Sequence, residues 1–428
     1  EGMLSPYRVL DLTDEKGLLC GKLLGDLGAD VIKVERPGGD LARTLGPFYH
    51  DEPDPEKSLF WWAFNTSKRG ITLNIETTDG QEIFKRLVGT ADFVLESFPP
   101  GYMEKTGLDY PVLEKINPGL IMVSITPFGQ TGPYKDYEAP GLVAGALGGV
   151  VDQFEDVDRP PTWIGHHSQE YLLGSMEGVG GAMMALFYRG TTGEGQHVDT
   201  SIQEALARAP SAQRRVERMA LANFSTPSKK KKKENDTPEK KGRIGGGTFV
   251  QPTRIRRIWP CKDGYVVLLW WAGINAKRWN MPLVNWLDSE GKAGYLKEFD
   301  WDTFDWATVS QTEIDRMEEP TIDFFKTHTK ADILKSALKY KAMVYPVSTS
   351  EDTLQSEQLA GRGFWQEVRH PELDTTLTYP GEFGIFSEAP ARISRRAPLV
   401  GEHNREIYET ELGYTREQML LLKQDGVV

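Results

Sequence analysis

The sequence predicts an α/β protein: a Rossmann-like, parallel-sheet large domain with a smaller α+β domain inserted into it. Three observations carry this expectation. Short β-branched runs alternate with helix-length segments of 3.6-residue periodicity through roughly the first 200 residues. At 428 residues the chain is long for one compact core. Composition then shifts after about residue 206, where a charged linker interrupts the alternation.

Taken in order, YRVLDLT (7–13) is a strand, and Leu18, Leu19, Leu23, Leu24 and Leu27 mark the apolar positions of a helix that Gly28 stops. ADVIKVER (29–36) follows as a second buried strand, so the first 30 or so residues form a βαβ unit and require a parallel sheet. Further strands are GITLNI (70–75), ADFVLESF (91–98), GLIMVSITPFG (119–129) and GQHVDTSI (195–202). Helices are expected over 80–90, 110–117 and 170–189, the last loaded with Gly, Ala and Met. Residues 244–273 alternate like a hairpin, a Trp-rich acidic helical stretch runs to about 345, and the tail is strand and turn. There is no internal repeat. The expected division is 1–224 for the N-terminal part of the large domain, 225–342 for the linker and small domain, and 343–428 for a segment that rejoins the large domain.

A formal charge of −12 argues against nucleic acid as a partner. The run Lys229–Lys233 is the one basic block; like-charge repulsion and the surrounding Pro, Asn and Glu make it a solvated linker. No stretch approaches the roughly 18 apolar residues of a membrane span, and the start lacks a basic n-region and an apolar h-region. Glu1-Gly2 ahead of Met3 reads as an addition. Two cysteines are too few for a disulfide framework or a structural zinc site. A soluble, cytoplasmic protein is expected.

Several segments could carry chemistry. The first βα turn, DLTDEKGLLCGK, lacks G-x-G-x-x-G, although Glu35 ends the second strand where a dinucleotide fold places its ribose-binding acid. Lys68-Arg69, the turn ESFPPGYMEKTGL (96–108) and Lys135 suit a phosphorylated ligand or an ordinary surface. The triple glycine Gly245-Gly246-Gly247 suits a lid or a hinge. WIGHHSQEYLLG (163–174) concentrates His166, His167, Gln169 and Glu170. Its order H-H-x-x-E matches neither zincin pattern, so no metal is expected. Locally it also reads as a helix start, with Ser168 as N-cap and Glu170 favoured by the helix dipole.

Together these segments resemble the family III CoA-transferases, which include formyl-CoA:oxalate, carnitine-type and benzylsuccinate enzymes. The likeness rests on VLDLT, LLGDLGADVIKVERPGGD (23–40), FNTSKRGITLNI (64–75), ESFPPGYMEKTGL, SITPFGQTGPYKD (124–136), RPPTWIG (159–165), RGTTGEGQHVDTSIQEAL (189–206), CKDGYVVL (261–268), HPELD and RRAPLVGEHN. It implies coenzyme A (as acyl-CoA) bound at the carboxyl ends of the large-domain strands, two chains interlocked like links, and acyl transfer through a helix-start aspartate following a PP-x-x-x-G segment. Counted forward from Pro160-Pro161, that position is Glu170.

A glutamate can do covalent carboxylate catalysis, but its extra methylene moves the nucleophile by roughly 1 Å, a displacement that can cost about 10²-fold. Either Glu170 works in a modified site, or the chain is the subunit of a heteromer whose homologous partner keeps the aspartate. The resemblance further implies CoA contacts at Lys16, Gly17, Arg36, Ser97, Phe98, Lys105, Lys135 and Tyr137. His166, His167 and Gln169 would shape the acyl pocket, and Gly245–Gly247 would form the loop that closes over the carboxylate. The first loop, Asp14-Glu15-Lys16-Gly17, departs from the family pattern. The related α-methylacyl-CoA racemases use a histidine where this chain has EAPGLVAGAL (138–147), so their proton-transfer pair is absent. The implied reaction moves CoA from an acyl-CoA, with succinyl-CoA the suggested donor, to a carboxylic acid. Trp270-Trp271 suits an aromatic acceptor or core packing equally.

Overall fold

The structure is a computed structural model that describes residues 2–151, 160, 169–208, 247–250, 253–305 and 308–428, with the backbone alone at 247–250 and 253–254. The chain forms two compact units. The larger comprises Glu1–Val150, Ile164–Ala222 and Gln358–Val428; the smaller comprises Val151–Trp163 and Asn223–Glu357.

In the larger unit, β1 (Arg8–Asp11), β2 (Asp30–Glu35), β3 (Lys68–Thr72), β4 (Phe93–Glu96), β5 (Ile121–Thr126) and β6 (Gln196–Ser201) form one sheet in the order β3-β2-β1-β4-β5-β6. Every pairing is parallel. Strand order reverses between β1 and β4, which opens a crevice at their carboxyl ends. Strands β3, β4 and β5 are buried along their whole length, as expected for a parallel sheet covered on both faces.

Alternation sorts the two cores. Leu10, Ile32, Ile71, Val94 and Met122 point to one face, with Phe84 and with Ile407 and Tyr408 of the C-terminal segment. Val9, Val31, Phe93, Val123 and Ile125 point to the other, with Cys20, Leu24, Ala182 and Ile202.

The helices of this unit are α1 (Leu18–Asp26), α2 (Leu59–Phe64), α3 (Thr78–Val88), α4 (Tyr102–Lys105), α5 (Tyr110–Leu113), α6 (Gly141–Leu147), α7 (Gln169–Thr192) and α8 (Ile202–Arg208). The glycines of α7 have a packing reason. A Cβ on Gly174 would meet Ile202 at 2.6 Å, one on Gly178 would meet Ile125 at 2.9 Å, and one on Gly181 would meet Val198 at 2.6 Å. Bare backbone at Gly178 and Gly181 lets a 24-residue helix lie directly on the sheet, and at Gly174 it admits the start of α8.

The expected strands are present, with shifted ends: the third begins at Lys68, two residues before the GITLNI run. The tail is not strand and turn throughout. After the hairpin β12 (Trp365–His370) and β13 (Thr375–Pro380) it ends in a π-helix, Arg405–Glu411, and an α-helix, Arg416–Gln424.

In the smaller unit, β7 (Gly247–Val250) pairs with β8 (Thr253–Arg256), and β9 (Ile258–Cys261), β10 (Gly264–Leu268) and β11 (Val344–Pro346) form an antiparallel sheet. Because β11 is hydrogen-bonded to β10, the return to the larger unit falls at Gln358 rather than at 343. Trp259, Trp270, Trp286 and Trp301 are buried together, and Trp270 stacks on Trp301 at 5.1 Å. Core packing therefore accounts for Trp270.

Three fully buried charges meet inside the larger unit. Asp11, Lys33 and Lys68 are all 0% exposed. Lys68 donates to Asp11 Oδ2 (2.8 Å), the Leu18 carbonyl (2.9 Å) and Asn65 Oδ1 (2.9 Å). Lys33 lies 3.8 Å from Asp11 Oδ1 and 3.6 Å from Asp40, and donates to the Thr13 carbonyl. Burial alone would raise the Asp11 carboxyl, but Lys68 and Lys33 outweigh it and hold it below the usual range. Removing one partner of such an array strands a buried charge. Lys68→Met is expected to lower stability by about 3–5 kcal/mol in urea unfolding; a loss below about 1 kcal/mol would show that Asp11 does not depend on it.

Candidate active site

Glu170 is the second residue of α7 and is only 3% exposed. The start of that helix is pinned from two sides. Tyr171 donates its hydroxyl to the Ala139 carbonyl (3.2 Å), just ahead of α6. Ser175, one turn further, donates to the Lys16 carbonyl (3.0 Å) in the turn after β1. The carboxylate thus sits where α6, α7 and the 14–17 turn converge. Gln169, beside it, is exposed. His166, His167, Gly245 and Gly246 lie outside the described residues, and Gly247 opens β7.

The turn after β1 is tied to the end of β4. The Ser97 hydroxyl donates to Asp14 Oδ1 (2.8 Å) and accepts from the Asp14 N–H (2.8 Å). Lys16 pairs with Asp14 through its side chain, and its own N–H reaches Asp14 Oδ1 (3.1 Å). Lys16 and Ser97 are thereby brought into one network. Gly17 stands directly before α1, where a Cβ would collide with Thr13 at 2.5 Å.

At the carboxyl ends of β1, β2 and β4 lies a crevice of about 570 Å³. It is lined by Leu12, Asp14, Arg36, Asn74, Phe98 and Tyr102 among others, and Gly426 reaches it from the C-terminal segment. The Phe98 and Tyr102 rings stack at 4.4 Å and offer a flat aromatic wall, with the exposed Arg36 also lining the space. Its acidic groups are engaged by protein cations or a hydroxyl: Asp40 by Lys33, Asp14 by Lys16, and Glu76 by the Tyr102 hydroxyl (3.1 Å). Such a site can accept an anionic ligand carrying a flat ring. A second cavity, about 740 Å³, adjoins it at Pro37 and Gly426 and is lined by Arg405, Arg416 and Lys423.

Some expectations do not survive the geometry. Glu35 is not a free ribose acid, because Arg43 holds it bidentately (2.7 and 2.8 Å) and the Asp40 N–H donates to it. Lys68 is committed to Asp11, while Arg69 is clamped by Asp30 and Glu406, so neither is free for a phosphate. Lys105, Lys135 and Tyr137 are exposed and do not line the crevice; Tyr137 stacks on Tyr134 at 5.0 Å. Asn74, Tyr102 and Gly426 also line the crevice, outside the expected contacts. Tyr102 alone carried a signal, as the aromatic four residues after Phe98 in the same turn.

Among the described residues no cluster of three His, Cys, Asp or Glu side chains is arranged to hold a metal, and no helix is long and apolar enough to cross a membrane.

Residues 4–404 match the sequence pattern of CoA-transferase family III. The chain belongs to that family. Over 99% of its length it is 33% identical to the succinyl-CoA:(R)-benzylsuccinate CoA-transferase subunit BbsE of Thauera aromatica, covering 98% of that protein. It is 30% identical to the formyl-CoA:oxalate CoA-transferase of Streptomyces avermitilis over 99% of both chains. A CAIB/BAIF family protein from Brucella suis superposes with a TM-score of 0.77 at 27% identity, over 95% of this chain and 98% of that one. A family III CoA-transferase moves coenzyme A between carboxylic acids, so acyl-CoA is a substrate and the reaction class is CoA transfer.

At the end of β4 one buried carboxyl group is pushed up toward neutrality. Glu96 ends β4, is 2% exposed and accepts from the Phe98 N–H (2.8 Å). Burial lifts its carboxyl from 4.5 to about 7, against the opposing pull of Ser124, the Phe98 N–H and Lys16. Unfolded, Glu96 ionises from about pH 4.5; folded, it ionises only near 7. Between these values the folded chain holds the extra proton, so stability falls as pH rises through the window and levels off above it. Glu96→Gln is expected to flatten that decline by up to about 3 kcal/mol, read from urea midpoints between pH 4.5 and 7. An unaltered profile would assign the decline to other groups.

Proposed function

We propose that this family III CoA-transferase takes CoA from succinyl-CoA to a carboxylic acid acceptor, with Glu170 as the acyl-carrying residue. The observation that carries the reading is the placement of Glu170. It is a buried carboxylate in the first turn of α7, held beside the β1 turn and reached in the sequence from Pro160-Pro161. The crevice at the strand ends supplies the CoA seat, with Arg36, Phe98, Lys16 and Ser97 as its contacts or supports.

A Glu170 oxygen attacks the thioester carbonyl carbon and the C–S bond breaks, giving a mixed anhydride and CoA thiolate. The thiolate attacks Cδ of Glu170, the donor carboxylate leaves, and a glutamyl thioester remains. The acceptor carboxylate attacks this Cδ and releases thiolate again. Thiolate attack on the acceptor's acyl carbon then yields acceptor-CoA and restores Glu170. Each step exchanges one acyl bond for another, so no oxidant, metal or net proton is needed. His166, His167 and Gln169 shape the acyl pocket in this reading. Lys105, Lys135 and Tyr137 take part only if their segments move toward bound CoA.

The chain works with a second homologous chain, interlocked with it. Met184 and Phe187, three apart on α7, are 69% and 75% exposed, an apolar stretch that a partner would cover. A second reading makes this chain the CoA-binding subunit of a heteromer whose partner keeps the aspartate. The naming of the Thauera relative as a subunit and the glutamate at 170 favour it. The partner, the acceptor's aromatic character and a cytoplasmic location belong to the proposal.

Expression of the chain alone, followed by native mass determination and trapping, tests the reading. The expected outcome is an active homodimer in which succinyl-CoA and hydroxylamine change the mass of the peptide holding Glu170, with Glu170→Gln reducing turnover to background. A folded chain that is inactive alone and leaves Glu170 unlabelled would establish the subunit reading instead.

A further inference from the structure

Gly145 lies within α6, and the space above it is filled by the Glu170 side chain. A Cβ built there would stand 2.7 Å from Glu170 Oε1, 3.3 Å from Cγ and 3.4 Å from Cδ. The backbone itself gives no reason for glycine, because Gly145 is not among the positive-φ residues. A buried helical position of this kind ordinarily favours alanine. Gly148, at the end of the same helix, differs: its Cβ would meet Leu206 at 2.6 Å, a packing contact with α8. The three nearest atoms to a Cβ at Gly145 all belong to the Glu170 side chain.

We infer that Gly145 is a positioning residue that makes room for glutamate at position 170, setting the depth of a carboxylate one methylene longer than aspartate. The inference rests on the reading of Glu170 as the acyl carrier. Any side chain at 145 would push Oε1 and the end of the Glu170 side chain out of their present place. Tyr171 meanwhile keeps the helix start fixed to Ala139, so the displacement falls on the carboxylate and not on the helix. Glycine at 145 and glutamate at 170 thus form a matched pair, and aspartate at 170 would leave space for a methyl group at 145.

Four proteins test this: wild type, Gly145→Ala, Glu170→Asp and the double variant. Each is incubated with succinyl-CoA and hydroxylamine, and the labelling rate of the peptide holding residue 170 is read together with KM and Tm. Gly145→Ala is expected to keep Tm and KM while labelling slows about 10- to 100-fold, the range for a displacement of roughly 1 Å. Adding Glu170→Asp to Gly145→Ala is expected to restore part of that rate, which a merely structural glycine would not allow. Wild-type labelling in Gly145→Ala, or no recovery in the double variant, overturns the inference and leaves the acyl-carrier reading standing. A folded wild type that takes no label overturns that reading and the inference with it. Should Gly145→Ala alone not fold, Glu170→Asp is compared with the double variant: faster labelling with alanine supports the pair, equal or slower labelling ends it.

Discussion

The larger unit is organised around one buried carboxylate. Asp11 ends the central strand β1, and the two lysines that neutralise it come from β2 and β3, so three adjacent strands meet at one charge. Desolvating three charges is costly, and only their mutual pairing together with the Thr13, Leu18 and Asn65 contacts offsets it. Helix α1 must pass over this array with almost no clearance: a Cβ on Gly21 would lie 2.2 Å from Asp11 Oδ2. The turn between β1 and α1 is therefore fixed by electrostatics below it. That turn carries Asp14, Lys16 and Gly17 to Ser97 on one side and Ser175 on the other. The crevice and the start of α7 inherit their geometry from a charge that touches neither.

The same arrangement explains why a dinucleotide-type sheet works here without the glycine fingerprint. Strand order and crevice are those of the doubly wound folds. The first turn, however, is a charged knot held by side chains, and the acid at the end of β2 is locked to Arg43. An aromatic wall, Phe98 against Tyr102, stands where a glycine-rich turn would otherwise present backbone amides. The family's chemistry, the transfer of CoA, also differs from that of the dinucleotide enzymes.

Strands β2, β4 and β5 are legible because each is a short, largely apolar run buried on both faces, whereas β6, QHVDTS, is partly exposed and reads instead by its position after the glycines at 193 and 195. Helix α6 is not legible, since GLVAGAL has no polar face to reveal a period. The C-terminal helices were hidden behind the turn-rich RRAPLVGEH. Lys68 looked like a phosphate ligand because sequence shows the charge but not Asp11 beneath it. Glu170 is singled out by counting from Pro160-Pro161 along the family resemblance, whereas its neighbour Gly145 lies 25 positions earlier in the chain and is brought to it only by packing. Gly426 at the crevice carries no local signal at all.

Strand β3 is an edge of the sheet, and its outer side is occupied by the far end of the chain. Ser67 N–H donates to the Arg395 carbonyl (2.9 Å), Gly70 N–H to His403 Nδ1 (3.1 Å) and Thr72 N–H to Asn404 Oδ1 (2.9 Å), while His403 N–H returns to the Gly70 carbonyl (2.9 Å). An uncovered edge of this kind is a template for pairing with other chains. During synthesis roughly 320 residues, the smaller unit included, separate β3 from its cover, so a nascent large unit carries an open edge until almost the whole chain has been made. The order of folding is thus written into the topology: the inserted unit can fold while the unit built on the six-stranded sheet waits for its last segment to arrive.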